Sequence, residues 1–406
     1  MRRTADAVII GGGVTGASLA FHLASRGVKG VVVLERKFLA AGGTGRSVGV
    51  IRQLYPSPET CRMVLSSLRV FQNFREVVGG DSGYVGCGAL IGVSPAMLPS
   101  LERSLEIQRE VGIRAELLPP HELARLEPRI DPSGLGAVLH EPESGYGDPT
   151  AVTLGYAAAA RDRGVAIEQG VAVTEIRVDG GRVTGVVTQT NESIDSRVVV
   201  NAAGLWAGAV AALAGITLPI VVGRHPVFIV KRGAAFGPPH PVYLDLAGGT
   251  YVRPETGDLT LTGSLVEDET RHPMDPELLG SEAGFEEAAE ALELTGRAIP
   301  ALADAHYQRG YAGAFDITPD WMPILDESPL RGFYIAAGMS GHGFKLAPAV
   351  GQMMAELITG GRTTVNRAPF AFDRFAAARR RGESFVGSFL GGGLRPPSDS
   401  SPQGLR

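Results

Sequence analysis

Residues 8–35 read VIIGGGVTGASLAFHLASRGVKGVVVLE, and this stretch constrains the fold more than any other. A β-branched apolar run enters a glycine cluster, a small-residue helical pattern follows, and a second apolar run ends at Glu35. The order is strand, tight turn, helix, strand. Gly11, Gly13 and Gly16 form GxGxxG. The first glycine permits the turn, the second lets a pyrophosphate approach the backbone, and the third lets helix and strand pack closely. Val14 and Thr15 open the helix, whose free N–H groups face the phosphate charge. Glu35 stands about 20 residues on, where a carboxylate accepts from a ribose hydroxyl. An acid there repels a 2′-phosphate, which favours FAD or NAD over NADP; Arg36 beside it partly offsets that argument.

At 406 residues, two domains are the prior. Apolar content of 44% and charged content of 20% are those of a water-soluble globular chain. A net charge of −5 excludes a strongly basic nucleic-acid surface. The two cysteines, Cys61 and Cys87, can make neither a disulfide framework nor, unaided, a zinc site, so no metal is expected. They read as small buried residues in a reducing compartment, and the location is expected to be cytoplasmic. Arg2 and Arg3 precede an apolar run too short for an export signal. Residues 204–223 are apolar enough to suggest a membrane span, but their glycines, Thr217 and Pro219 divide them into helix and strand. No membrane association is expected. Residues 391–406 are Gly/Pro/Ser-rich and are expected to be disordered.

In chain order, the loop AAGGTGRSVGVIRQLY follows at 40–55. Gly43, Thr44, Arg46 and Ser47 offer backbone N–H groups, a hydroxyl and charge, a composition that binds anions. A helix is expected over 60–78, a strand over 84–93, and a helix over 99–111. Residues 150–164 read as a helix, 165–190 as strands with a hairpin at Asp179-Gly180-Gly181, and 196–204 as a buried strand entering a helix at 205–214. Alternation over 223–262, with a turn at Thr256-Gly257-Asp258, argues an antiparallel sheet. Residues 281–299 form an acidic amphipathic helix. The strand GFYIAAG then leads into a second glycine loop, SGHGFK, carrying His342 and Lys345. Pro348 is expected in the first turn of a helix over 347–359. A lysine and a helix N-terminus placed together suit a cofactor that gains negative charge on reduction.

These pieces, with VVVNAAGLWA and TPDWMPILD, resemble the D-amino-acid oxidase-like superfamily of FAD oxidoreductases over about residues 5–380. The nearest likeness is to monomeric sarcosine oxidase and the β subunits of sarcosine oxidase-like enzymes. The resemblance implies an α/β fold: a Rossmann-like FAD-binding domain with an inserted α+β substrate domain built on an antiparallel sheet. The expected FAD-binding domain takes residues 1–84, 149–222 and 309–385. The substrate domain takes 85–148 and 223–308, and 386–406 form a flexible tail. Arg52 matches the family arginine that holds the substrate carboxylate, and Lys345 the lysine that assists it. Tyr251 matches a pocket tyrosine and His342 a histidine close to the flavin, with a positional role. Val173, Ala203, Gly204 and Trp206 match positions along the FAD, and Gly341, Gly343 and Phe344 lie in its second glycine loop.

Three departures from relatives matter. A cysteine that attaches FAD covalently in some falls near Gly313 here, and a flavin-linking histidine is missing from 42–47; non-covalent FAD is expected. The family's oxygen-activating lysine falls near Thr260, which argues against fast reaction with oxygen. The implied activity is oxidation of a small amino acid or N-methyl amino acid by hydride transfer to flavin N5. The imine then hydrolyses, and reoxidation by oxygen releases hydrogen peroxide. Alternatives are a dehydrogenase subunit of a hetero-oligomer that passes electrons to another acceptor, or a flavin-binding scaffold without turnover. An NAD-dependent dehydrogenase conflicts with the second glycine loop. The expected partners are the amine and the electron acceptor, the chain being a monomer or a subunit of an oligomer.

Overall fold

The structure is a computed structural model that describes residues 2–265, 273–375, 384–386 and 393–395. The first glycine motif folds as its sequence dictates. Strand Ala7–Ile10 is wholly buried, Gly11 turns it at φ +115°, and helix Val14–Ser25 follows. A Cβ on Gly11 would stand 2.4 Å from the Ala202 carbonyl oxygen, and one on Gly16 would stand 2.0 Å from the Gly11 carbonyl oxygen. Only glycine fits either place.

Six strands make the nucleotide sheet, in the order 324–327, 333–337, 199–201, 7–10, 31–35, 166–169. All neighbours pair parallel except 324–327 with 333–337. Its four central strands are short, apolar and buried, as a sheet covered on both faces requires. Helix Val14–Ser25 packs against helices Pro149–Arg161 and Gly343–Ile358 on one face, and Gly351 approaches Ser18 too closely for any side chain.

The second large sheet has eight strands, in the order 306–317, 221–231, 259–264, 250–255, 242–245, 89–93, 137–141, 116–118. It is antiparallel as expected, except that Val242–Asp245 runs parallel to Ala89–Val93. Helix Phe285–Ala298 covers one face through Ala288, Ala291 and Thr295. A smaller sheet takes Val173–Asp179, Arg182–Thr188, Ser193–Asp195 and Arg2–Thr4.

Several boundaries differ from expectation for local reasons. The helix expected over 60–78 breaks at Asn73, whose side-chain amide donates to the Arg69 carbonyl and competes with the helix ladder. Within 84–93 only Ala89–Val93 is strand; Val85 makes one isolated bridge to Tyr146. The last helix starts at Gly343, four residues before the expected position, so Lys345 joins its first turn and Pro348 lies inside it. Most of 386–406 lies outside the described residues; Ser384–Val386 pairs antiparallel with Gly393–Arg395. Among the described residues no helix is long and apolar enough to cross a membrane.

Candidate active site

A cavity of about 460 Å³ runs along the C-terminal ends of the nucleotide strands and under the eight-stranded sheet. At one end it meets the phosphate turn. Gly13 is the N-cap of helix Val14–Ser25 and supplies no side-chain cap. The Thr44 hydroxyl from the neighbouring loop accepts the Val14 N–H at 3.1 Å. The Glu35 carboxylate accepts the N–H of Gly12 at 2.8 Å and of Lys37 at 2.7 Å, which presses it against the turn. Gly204, at φ +54°, leaves open space where a side chain would stand. These are the features a pyrophosphate and ribose require: open backbone, a helix N-terminus and a fixed acid.

The predicted residues Gly11, Gly13, Val14, Thr15, Arg36, Gly43, Arg46, Ser47, Val173, Ala203 and Trp206 line this cavity too. Gly16 lies beneath the turn and serves its packing instead. Gly341, Gly343, Phe344 and Lys345 line the far end with Arg52 and Tyr251.

Strand Phe333–Ala337 is followed by Gly338 at φ +73° and Gly341 at φ +76°, which fold the chain back into the last helix. The strand His306–Ile317 braces this loop: Asp316 Oδ2 accepts the Gly338 N–H at 2.8 Å, and the Asp316 carbonyl accepts the Ser340 N–H at 3.0 Å. The Phe315 ring lies directly under Gly341. Asp316 is buried and lines the cavity, and loss of hydration raises its pKa to about 6. Lys345 is 5% exposed and donates to the Gly341 carbonyl at 3.3 Å. Burial first, and the charge of Arg52 second, hold the Lys345 pKa well below its ordinary value. The Arg52 charge thus disfavours protonation of Lys345, and an anion bound between them would favour it.

Arg52 is fully buried, donates to the Leu54 carbonyl and lies over the Tyr55 ring. Behind it, the buried Glu141 carboxylate accepts from Gln53 N–H at 2.8 Å, Ser144 Oγ at 2.7 Å and Gln108 Nε2 at 2.7 Å. Burial raises the Glu141 pKa, while those hydrogen bonds and Arg52 oppose the rise. His342 does not line the cavity. It sits behind the wall, buried, with Nδ1 facing the Tyr55 hydroxyl. Burial, then Lys345 and Arg52, lower its pKa, which keeps the imidazole neutral.

Sequence reasoning missed His225, Phe315 and Asp316. The His225 ring stacks on Phe315 at 4.4 Å and lies nearly parallel to Tyr251 at 5.8 Å, making one aromatic wall. Phe315 and Asp316 lie just upstream of the TPD motif, separated from it by Ile317, and that proximity was the available signal. Gly313 lines the cavity, and a Cβ there would stand 2.6 Å from the His225 carbonyl oxygen. Thr260 points away from the cavity. It bonds His240 Nε2 at 2.9 Å and Arg232 at 3.1 Å, whereas Gly263, two positions beyond Leu261, shares the Tyr251 face. Thr260 therefore lies on the opposite face of its strand from the side that meets Tyr251. No group of three or more His, Cys, Asp or Glu suited to a metal occurs among the described residues.

Comparison with known proteins agrees with this geometry. The profile of the FAD dependent oxidoreductase family, DAO, matches residues 6–357. The chain is 30% identical to human mitochondrial sarcosine dehydrogenase over 387 residues, covering 92% of this chain and 41% of that protein. It is 28% identical to the sarcosine oxidase subunit beta of an Arthrobacter species, covering 92% of each. The chain thus spans about two fifths of the sarcosine dehydrogenases it matches. L-proline dehydrogenase from P. horikoshii superposes with a TM-score of 0.85 at 29% identity, covering 93% of this chain and 99% of that one. Glycine oxidase from Geobacillus kaustophilus, at 24% identity and a TM-score of 0.79, shares the fold. With a nucleotide cradle, a buried cationic end and a family profile spanning most of its length, this chain belongs to the FAD dependent oxidoreductase family and takes FAD as its cofactor.

Proposed function

We propose that the chain oxidises the C–N bond of a small amino acid or N-methyl amino acid, with Arg52 and Lys345 gripping the substrate carboxylate. The observation that carries this reading is the pair of buried cations at one end of the cavity, one from each half of the chain. A carboxylate between them replaces lost hydration with charge-assisted hydrogen bonds. The relatives named for sarcosine, 4-methylaminobutanoate and proline all act on amines carrying a carboxylate, which supports the same class.

Bound FAD supplies a two-electron acceptor. The protein's own part is placement. Arg52 and Lys345 fix the carboxylate, and the Tyr251–His225–Phe315 wall closes the site to water. Neutral His342 holds Tyr55 and so the seat of Arg52. The FAD is proposed to be non-covalent, because Gly313 has no room for the side chain that would link it.

Transfer of electrons to an acceptor other than oxygen is a second reading. It is supported by the cavity wall, where Lys345 is the single lysine at the buried end among the described residues. An amine panel tests both readings. Anaerobic bleaching of the flavin by sarcosine, N-methyl amino acids, proline or glycine is expected, and admission of air then reports peroxide or its absence. Bleaching by amines without a carboxylate, and by none with one, overturns the assignment.

A further inference from the structure

We propose that Glu277 is a positioning residue for the ADP half of FAD, locking Arg36 and Trp206 into a clasp across the end of the cavity beside Glu35. The proposal rests on the FAD reading of the cavity. Arg36 and Lys37 follow the strand Val31–Glu35, and Trp206 follows Val199–Asn201. These strands flank Ala7–Ile10, which carries the phosphate turn, so Arg36 and Trp206 stand on either side of the crevice. All three side chains line the cavity.

Glu277 comes from a segment distant in sequence. It lies in the short turn Pro276–Leu278, between the eight-stranded sheet and helix Phe285–Ala298. Asp275 Oδ1 accepts the Glu277 N–H at 2.9 Å and fixes its backbone. One oxygen, Oε1, accepts from Trp206 Nε1 at 2.7 Å and from Arg36 at 2.7 Å; the other stands 4.0 Å from Lys37 Nζ. The Arg36 guanidinium is stacked 4.1 Å over the Trp206 ring. One carboxylate thus ties together a cation and an aromatic face from separate strands.

The segment is also anchored further along. Gly280 N–H donates to Ala312 O and Ala312 N–H to Ser281 O, each at 2.8 Å, and a Cβ on Gly280 would stand 2.9 Å from Arg46 Nε. It therefore crosses from the substrate-side sheet to the cofactor-binding loop. Half-exposed ion pairs alter folding little. Their effect here falls on the molecule enclosed, since planar rings stack on Trp and Arg faces.

The test uses the FAD-loaded protein and the Glu277→Ala and Glu277→Gln variants. FAD release is followed by the rise of free-flavin fluorescence, and the melting temperature of each apoprotein is measured alongside. Glu277→Ala is expected to release FAD about 5- to 10-fold faster, as loss of a cluster of charge-assisted bonds implies. Glu277→Gln, which keeps an acceptor for Trp206 and loses the charge, falls between. Added salt is expected to speed release from the parent more than from either variant, with apoprotein melting unchanged. Parental release rates in both variants overturn the proposal. So does a lowered apoprotein melting temperature with unchanged release, which would make Glu277 merely structural. A parent chain that binds no FAD at all would overturn the cavity reading itself, and this proposal with it.

Discussion

The Tyr55 hydroxyl stands 3.2 Å from Nδ1 of His342, and the Arg52 guanidinium lies 4.7 Å above the same Tyr55 ring. Tyr55 thus joins a residue behind the cavity wall to one on it. With Tyr55 donating, Nδ1 accepts and the neutral imidazole keeps its proton on Nε2. Tyr55→Phe leaves the buried His342 nitrogen without that donor. The expected loss is about 1–2 kcal/mol of stability, with FAD loading retained. Chemical denaturation of the parent and the variant checks it, and equal midpoints would refute it.

Arg52→Ala is expected to raise KM for a carboxylate-bearing amine by about 100-fold or more, equivalent to about 3 kcal/mol. Amines lacking the carboxylate should be affected far less. Arg52→Lys restores charge without the planar fork and is expected to recover only part of the loss. Steady-state kinetics on matched amines with and without the carboxylate decide the point.

Lys345 gives the pH dependence of anion binding its sign. Burial and the Arg52 charge lower its pKa. A bound carboxylate favours the protonated form, so binding takes up a proton. Affinity for an unreactive carboxylate ligand is expected to be highest at low pH and to fall as pH rises through the Lys345 pKa. Titrations by flavin absorbance between about pH 6 and about pH 10 test this, and Lys345→Met should flatten the profile.

Asp316 makes stability fall with rising pH. Its folded pKa is raised from 3.8 to about 6 by burial, so the folded state holds the proton more tightly than the unfolded chain. That contribution is intact below about pH 4 and is lost as pH passes about 6, a change of about 3 kcal/mol. Asp316→Asn keeps an acceptor for the Gly338 N–H and removes the charge. It is expected to match the parent near pH 4 and to exceed it near pH 7, as urea unfolding at both values would show.

Gly313→Cys would place a thiol at the position where some relatives attach FAD. Its Cβ meets the His225 carbonyl oxygen at 2.6 Å, which requires two paired strands to part. The variant is expected to lose about 2 kcal/mol or more of stability and to gain no covalent flavin. Denaturing gel electrophoresis with flavin fluorescence detects any bond formed.

The first glycine motif was legible because its three jobs are local. Gly11, Gly13 and Gly16 act within one turn, and the FAD cofactor followed from them with the second loop. Arg52 and Lys345 were found through motif resemblance, and their common cavity follows from the sheet order rather than from spacing. The start of the last helix was misjudged because Pro348 looked like a first-turn residue, whereas the helix begins within the glycine loop at Gly343. Thr260 was assigned by alignment alone; the strand's alternation, visible only with its register, turns it away from the cavity. His225 and Phe315 sit on paired strands far apart in sequence, so their stacking follows from strand pairing and not from any local pattern. Glu277 lay in a polar segment whose contacts are made across more than two hundred positions to Arg36, a distance no local pattern encodes.

The cavity wall begins at Ile10 and Gly11 and is finished only at Lys345. During synthesis the phosphate turn emerges roughly three hundred residues before Lys345, so the opposite side of the crevice is completed long after it. FAD capture therefore waits for the last helix, and a polypeptide truncated before 345 would keep every strand of the nucleotide sheet yet lack the Lys345 end of its cavity.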